Sequence, residues 1–275
     1  MKLVTFVHGT RTLVGELVDD EVYNTSIPGS MFDTIRRGIT PTRTSEHYSL
    51  SKVTLAAPLR PGKIIAIGRN YPEHAAELSH EVPAAPLIFA KFPSSIIGHG
   101  ETISWRASIT QKVDWEGELA VVIGKKARDV SEADAYKHVF GYTIANDVSA
   151  RDLQLEVDSQ WTRGKSLDTF CPMGPFIITR DEVPDPHALS VKTTVNDEVV
   201  QEGETGSMMF KIPQLIAYCS RMFTLEPGDV ILTGTPPGVG HGRKPPQYLK
   251  HGDTVTVSIS GIGELSNPCK ILADA

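Results

Sequence analysis

Short apolar runs broken by Gly, Pro, Asn and Asp dominate the chain, and most have the length and β-branched content of strands. Near the N-terminus KLVTFV, RTLVGELV and EVYN are separated by HGT and DD. Residues 25–55 are irregular and rich in Thr and Ser, with the turn signal IPGS and room for one short helix over Met31–Arg37. We therefore expect residues 1–55 to form a small N-terminal β domain or a wrapping segment. In LAAPLRPGK, Pro58, Pro61 and Gly62 forbid regular structure and mark a linker into a larger domain, 56–275.

In that domain KIIAIG, PLIFAKF, ELAVVIG, FGYTIANDVS, PFIITR, VKTTVNDEVV, DVILTG and TVTVSISGIGEL are predicted strands, with a hairpin signal at the Asn-Asp of VNDEVV. Two helices are expected among them. SEADAYKHVF opens on a Ser131/Asp134 capping box, and IPQLIAYCSRM places Ile212, Leu215, Ile216, Cys219 and Met222 on one face. Strands and helices do not alternate regularly. That points to a mixed β-rich α+β fold and away from Rossmann or barrel architectures.

Composition narrows the function. The chain has 275 residues, 22% of them charged, and a net charge of −6, with no basic run to suggest a nucleic-acid partner. No apolar run is long enough to cross a membrane, and MKLVTFVHGT lacks the pattern of a signal peptide. Cys171, Cys219 and Cys269 are widely spaced with no CxxC, so we expect buried reduced thiols in a cytoplasmic protein.

VDWEGELAVVIG poses an electrostatic problem. In an extended strand Asp114, Glu116 and Glu118 share one face, just before a run destined for the core. Either that end of the strand is solvated, or a cation offsets the like charges, and oxygen ligands alone suit Mg²⁺, Mn²⁺ or Ca²⁺. Asp147, at the end of the strand in FGYTIANDVSARD, is a second acid placed either to join them or to cap a turn. Asp152 reads as structural, paired with Arg151 or capping a turn. In GRNYPEHAAELSHE, Pro72 suits the first turn of a short helix, which makes His74 and Glu77 neighbours at i and i+3. They form either a general-base pair or part of a solvated face. Lys165 lies in the loop QWTRGKSLDTFCPMGP, a surface lysine or a charge that stabilises an enolate. GDVILTGTPPGVGHG runs from a strand into a Gly/Pro loop whose backbone N–H groups can meet anions; it is neither a Walker A loop nor a dinucleotide fingerprint.

Taken in order, KIIAIGRNYPEHAAE, PLIFAKFPSSIIG, DWEGELAVVIG, GYTIANDVSARDLQ, QWTRGKSLDTFCPMGP, VNDEVVQ, LEPGDVILTGTPPGVG and GIGELSNP resemble the fumarylacetoacetate hydrolase family over about residues 53–270. The resemblance implies a mixed β-sandwich roll, usually a homodimer. It assigns Glu116, Glu118 and Asp147 to Mg²⁺ or Mn²⁺, His74 and Glu77 to a water-activating dyad on a mobile lid, and Lys165 to the neighbourhood of metal and substrate. Arg69, Gln154 and Thr235 match substrate-contacting positions.

The activity it implies first is hydrolysis of a C–C bond in acylpyruvate- or fumarylpyruvate-type 2,4-dioxo acids, where water attacks the distal carbonyl and leaves a pyruvate enolate. An isomerase or decarboxylase acting on 2-hydroxy-diene dioates or oxaloacetate is the alternative, and the DTFCPMGP wording resembles the aromatic-catabolism branch, isomerases and hydrolases of 2-hydroxy-diene dioates, somewhat more than the acylpyruvase branch. A binding protein without catalysis would need neither the His74–Glu77 pair nor Lys165.

Overall fold

The computed structural model describes residues 1–27 and 29–274. Pro28, at the centre of the expected IPGS turn, and Ala275 lie outside the described residues. The chain is β-rich. Its strands are β1 (Lys2–His8), β2 (Arg11–Val18), β3 (Glu21–Thr25), β4 (Arg43–Ser49), β5 (Thr54–Ala56), β6 (Ile64–Gly68), β7 (Leu87–Lys91), β8 (Ile96–Ile97), β9 (Ile103–Arg106) and β10 (Val113–Asp114). They continue as β11 (Gly117–Ile123), β12 (Val139–Asn146), β13 (Ser149–Ala150), β14 (Cys171–Thr179), β15 (Ser190–Val195), β16 (Glu198–Glu204), β17 (Val230–Leu232), β18 (Thr254–Ile259) and β19 (Gly263–Leu272). The α-helices are α1 (Met31–Arg37), α2 (Pro72–Glu77), α3 (Arg151–Leu155), α4 (Thr162–Lys165) and α5 (Ile212–Met222).

A 12-stranded mixed sheet runs in the order β4-β3-β2-β1-β14-β12-β11-β17-β6-β7, with β5 on β1 and β8 on β14. A five-stranded sheet, β16-β15-β18-β19-β9, packs against it. Alternation along β11 shows why. Leu119, Val121 and Ile123 enter a core shared with Val191, Val257, Ile259 and Leu265 of the smaller sheet and with Ile212, Leu215, Ile216 and Cys219 of α5. Ala120 and Val122 face the other way, into a second core with Ala66, Ala145, Met173, Val230 and Leu232. Both faces of β11 are therefore buried, so its apolar run is nearly continuous.

The N-terminal strands extend the large sheet: β1 meets β14 at Lys2↔Ile178 and Leu3↔Ile177, and Leu3, Val14, Met31 and Ile35 join the second core. β4, RTSEHYS, was expected to be irregular. It is an edge strand with no fully buried residue, so no apolar alternation marks it. SEADAYKH forms a 3₁₀ helix over Glu132–His138, with Ser131 Oγ accepting from the Asp134 N–H at 3.2 Å, and the following Val139 and Phe140 already belong to β12. α5 keeps the predicted buried face except at Met222, which is 50% exposed. TVTVSISGIGEL is a hairpin of β18 and β19, and the Asn196-Asp197 turn closes β15 on β16 as predicted. All three cysteines are free and buried, as expected. Among the described residues no helix is long and apolar enough to cross a membrane.

Leu119 is fully buried between the sheets, so Leu119→Ala should lower the unfolding free energy by about 3 kcal/mol in urea titration. A loss below about 1 kcal/mol would mean that the inter-sheet core does not close on this residue.

Candidate functional site

The acidic cluster sits where β11 begins and β12 ends. These strands are antiparallel with Gly117 opposite Asn146, so the register carries on to place Asp147 beside Glu116, and the Asp147 N–H donates to the Glu116 carbonyl at 2.8 Å. Asp147, after the last residue of β12, is thus brought to Glu116 by strand pairing. The alternation expected for Asp114, Glu116 and Glu118 does not run through one strand. β10 ends at Asp114, β11 starts at Gly117, and Trp115 and Glu116 lie between them. Oxygen atoms of Glu116, Glu118 and Asp147 nevertheless lie within 4.8 Å of one another, all buried.

The resemblance leaves Asp114 out of this group. It is fully buried and paired with Arg151, whose Nε and Nη2 both lie 2.8 Å from its Oδ2. Arg151 also reaches Glu116 Oε1 with Nη1 at 2.8 Å. Asp152 does not pair with Arg151; it accepts from Thr110 Oγ1 at 2.6 Å and from the Gln111 N–H at 3.2 Å.

Lys165 is not in a loop. It closes α4 and is buried, with Nζ 2.7 Å from Glu116 Oε2 and 2.9 Å from Asp147 Oδ2. A third cation was not anticipated. Lys91, on β7, is fully buried with Nζ 2.6 Å from Asp147 Oδ1, and it also donates to the Lys165 carbonyl. Its signal was legible in PLIFAKF as a charge inside an apolar strand, the same anomaly that marked the acids.

The charges do not cancel. Asp114, Glu116, Glu118 and Asp147 are buried against Lys91, Arg151 and Lys165, and Glu118 forms no ion pair among the described residues. Among the described residues its one donor is the Gly234 N–H, at 2.7 Å from Oε2. Burial, together with the charges of Asp147 and Glu116, therefore pushes the Glu118 carboxyl well above the usual carboxylate range. Burial also opposes ionisation of Glu116, but Lys165 and Arg151 outweigh it and bring its pKa down to about 2. For Lys165, burial works against the charge while Asp147 and Glu116 hold it, so the lysine stays an ammonium. These residues fit a divalent cation. Three oxygen donors converge, one of them on an acid whose ionised form no side chain would offset, and the Lys165 ammonium already stands as a cation against the other two.

α2 lies beside the cluster. His74 is buried, with Nδ1 3.3 Å from Glu77 Oε2, so the expected pair is formed. Both Glu77 oxygens accept from the Gly238 N–H, at 3.0 and 3.1 Å. His74, Glu116, Glu118, Lys165, Arg69, Gln154 and Thr235 line one cavity, together with Arg151, His80, Phe89 and Trp161, which were not anticipated. Glu77 and Asp147 stand behind that lining. Arg69 adopts φ 55°, its guanidinium lies 5.4 Å from the Trp161 ring centre, and its buried Nε has no hydrogen-bond partner among the described residues. Gln154 Oε1 accepts from Arg151 Nη1 at 3.0 Å. The Thr235 hydroxyl is committed to the protein, donating to the Gly117 carbonyl at 2.9 Å and accepting from Gln201 at 2.8 Å.

The sequence model of the fumarylacetoacetate (FAA) hydrolase C-terminal domain matches residues 63–270. The chain belongs to the fumarylacetoacetate hydrolase family. It is 46% identical over 264 residues to the mitochondrial oxaloacetate tautomerase fahd2 of Xenopus laevis, covering 92% of this chain and 82% of that one. It is 43% identical to the oxaloacetate tautomerase YisK of Bacillus subtilis, covering 97% and 99%. The solved 5-carboxymethyl-2-hydroxymuconate delta-isomerase from Mycobacterium smegmatis superposes with a TM-score of 0.85 at 37% identity, covering 99% of this chain and 100% of that chain. These relatives correct the expectation of an acylpyruvate-type hydrolase, since each is named for an isomerisation. The physical reason for the misreading is that both reactions pass through the same stabilised enolate. They differ in whether water attacks a distal carbonyl, a step that the shared motifs do not encode.

The raised Glu118 pKa has a testable sign. The folded state holds this proton where the unfolded chain has released it, so its contribution is full below the unfolded value and is lost as pH rises towards the folded one. Metal-free protein should therefore lose up to ~1.4 kcal/mol per pH unit as pH rises from about 4.5. Glu118→Gln should flatten this slope in EDTA and abolish the stabilisation by added Mg²⁺. An unchanged slope in thermal melts would show that Glu118 is not the strained acid.

Proposed function

We propose that the chain is a divalent-metal-dependent tautomerase that interconverts the enol and keto forms of oxaloacetate-type 2-oxo dicarboxylic acids. The observation that carries this reading is an imidazole and an acid cluster opening on one cavity, lined by His74 together with Glu116, Glu118 and Lys165. That pairing suits movement of a proton at a carbon next to a carbonyl. The substrate class is supported by the names of fahd2 and YisK.

Glu116, Glu118 and Asp147 would hold Mg²⁺ or Mn²⁺, which when bound offsets the negative charge on the substrate's 2-oxygen. Lys165 stays charged and adds positive potential at the same end. With Nδ1 tied to Glu77, His74 turns Nε2 to the cavity as the proton carrier. In the enol-to-keto direction the 2-hydroxyl loses its proton and C3 gains one, so the reaction is balanced without water. Arg69, with its unpartnered buried N–H, is the group we assign to the distal carboxylate, and Gln154 lines the wall beside it. Thr235 shapes that wall rather than donating to substrate, because its hydroxyl proton is already used.

The test follows the ultraviolet absorbance of enol-oxaloacetate with Mg²⁺ or Mn²⁺ present. Wild type should speed ketonisation over buffer, and His74→Ala should slow it by ~10²–10⁴-fold with metal affinity by calorimetry unchanged. Release of pyruvate and CO₂ as the main products, or no acceleration, would overturn the tautomerase reading. The Mycobacterium smegmatis relative supports a second substrate for the same proton transfer, so 5-carboxymethyl-2-hydroxymuconate belongs in the assay.

A further inference from the structure

The Gly/Pro loop after β17 touches both halves of the site through its backbone. Asp114 Oδ1 accepts from the N–H groups of Trp115 and Gly240, each at 2.8 Å, and Oδ2 accepts from the His241 N–H at 3.0 Å and from Arg151. Three residues earlier in that loop, Gly238 holds the Glu77 carboxylate. The loop can lie this close only because it lacks side chains there. A Cβ on Gly240 would sit 2.8 Å from Asp114 Oδ1, and one on Gly242 would sit 2.5 Å from Glu77 Cγ. The GVGHG pattern thus has a physical reason that the acid cluster alone does not supply. From Glu116 the contacts run through Arg151 to Asp114, through the loop to Glu77, and on to His74, with no link longer than 3.3 Å.

We propose that Asp114 is a positioning residue that couples the carboxylate cluster to the seating of α2, so that a cation at Glu116 steadies the His74–Glu77 pair. The cation shifts Glu116, Arg151 follows it, and Asp114 passes the constraint to the loop that grips Glu77. Such coupling is reciprocal. This rests on the reading of Glu116 as a metal ligand.

Hydrogen–deuterium exchange on the full chain, with and without saturating Mn²⁺, tests it. In wild type Mn²⁺ should slow amide exchange in residues 72–80 and 236–242 about fivefold or more. Arg151→Lys loses the two-pronged contact, and Asp114→Asn loses the charge at the junction. In both, Mn²⁺ at concentrations saturating by calorimetry should no longer slow α2. Gly242→Ala, which pushes on the Glu77 side chain, should speed α2 exchange and, by the same reciprocity, weaken Mn²⁺ binding by up to about fivefold, whereas unchanged Mn²⁺ affinity with a loosened α2 would overturn the coupling. A purely structural Asp114 would lower the melting temperature yet leave the metal-dependent slowing intact, and that result overturns the proposal. So does bound Mn²⁺ that leaves wild-type exchange unchanged. If Asp114→Asn fails to fold, Arg151→Lys decides alone. Absence of Mn²⁺ binding to wild type overturns the coupling together with the metal reading, and calorimetry identifies that case.

Discussion

Everything at this site depends on burying four carboxylates with only three cations. Ionised groups removed from water are strongly destabilised unless partnered, and the partnering here is nearly complete. Asp114 has Arg151, Glu116 has Arg151 and Lys165, and Asp147 has Lys91 and Lys165. Glu118 is the remainder, and its raised pKa is the measure of that deficit. A site one cation short of its carboxylates is poised to take another, and the three side-chain cations fix where Asp114, Glu116 and Asp147 point before any ligand arrives.

The fold supplies this arrangement through ordinary strand pairing. The antiparallel β11–β12 ladder sets Glu116 beside Asp147 although they are distant in sequence, and β7 delivers Lys91 to the same end of the sheet. The two-residue break between β10 and β11 turns Glu116 so that Arg151 and Lys165 can each take one of its oxygens. Short helices α2 and α4 then bring His74 and Lys165 into the lining of the same cavity. The acids thus sit on or beside paired strands, while His74 sits on a short helix held by a loop.

Much of this was legible beforehand. Glu116, Glu118 and Asp147 stood out because carboxylates at the ends of apolar strands are anomalous, and His74 and Glu77 because helical spacing makes them neighbours. Lys91 carries the same kind of anomaly, a charge within the apolar run PLIFAKF, but a lone lysine one residue from the end of such a run marks an exposed position equally well. Arg151 and Asp114 were harder. Nothing in ARD or VDW says that the arginine will skip the adjacent Asp152 for an acid on another strand. β4 carries no such mark because an edge strand needs no apolar face, and the helix expected over SEADAYKHVF forms but stops at His138, as a 3₁₀ helix that the same Ser131 cap serves.

The sequence by itself determined a β-rich fold, the family, and the residue types of a buried carboxylate cluster with a neighbouring His–Glu pair, because burial and backbone periodicity leave local marks. Only the tertiary structure decided which cation meets which acid, that Asp114 is inside, and that one glycine-rich loop touches both Asp114 and Glu77. Those contacts depend on register and on chain reversals between distant strands, and a one-residue slip would redirect every side chain in them. The split between hydrolysis and tautomerisation lies a step further on, in what reaches an enolate that both reactions share.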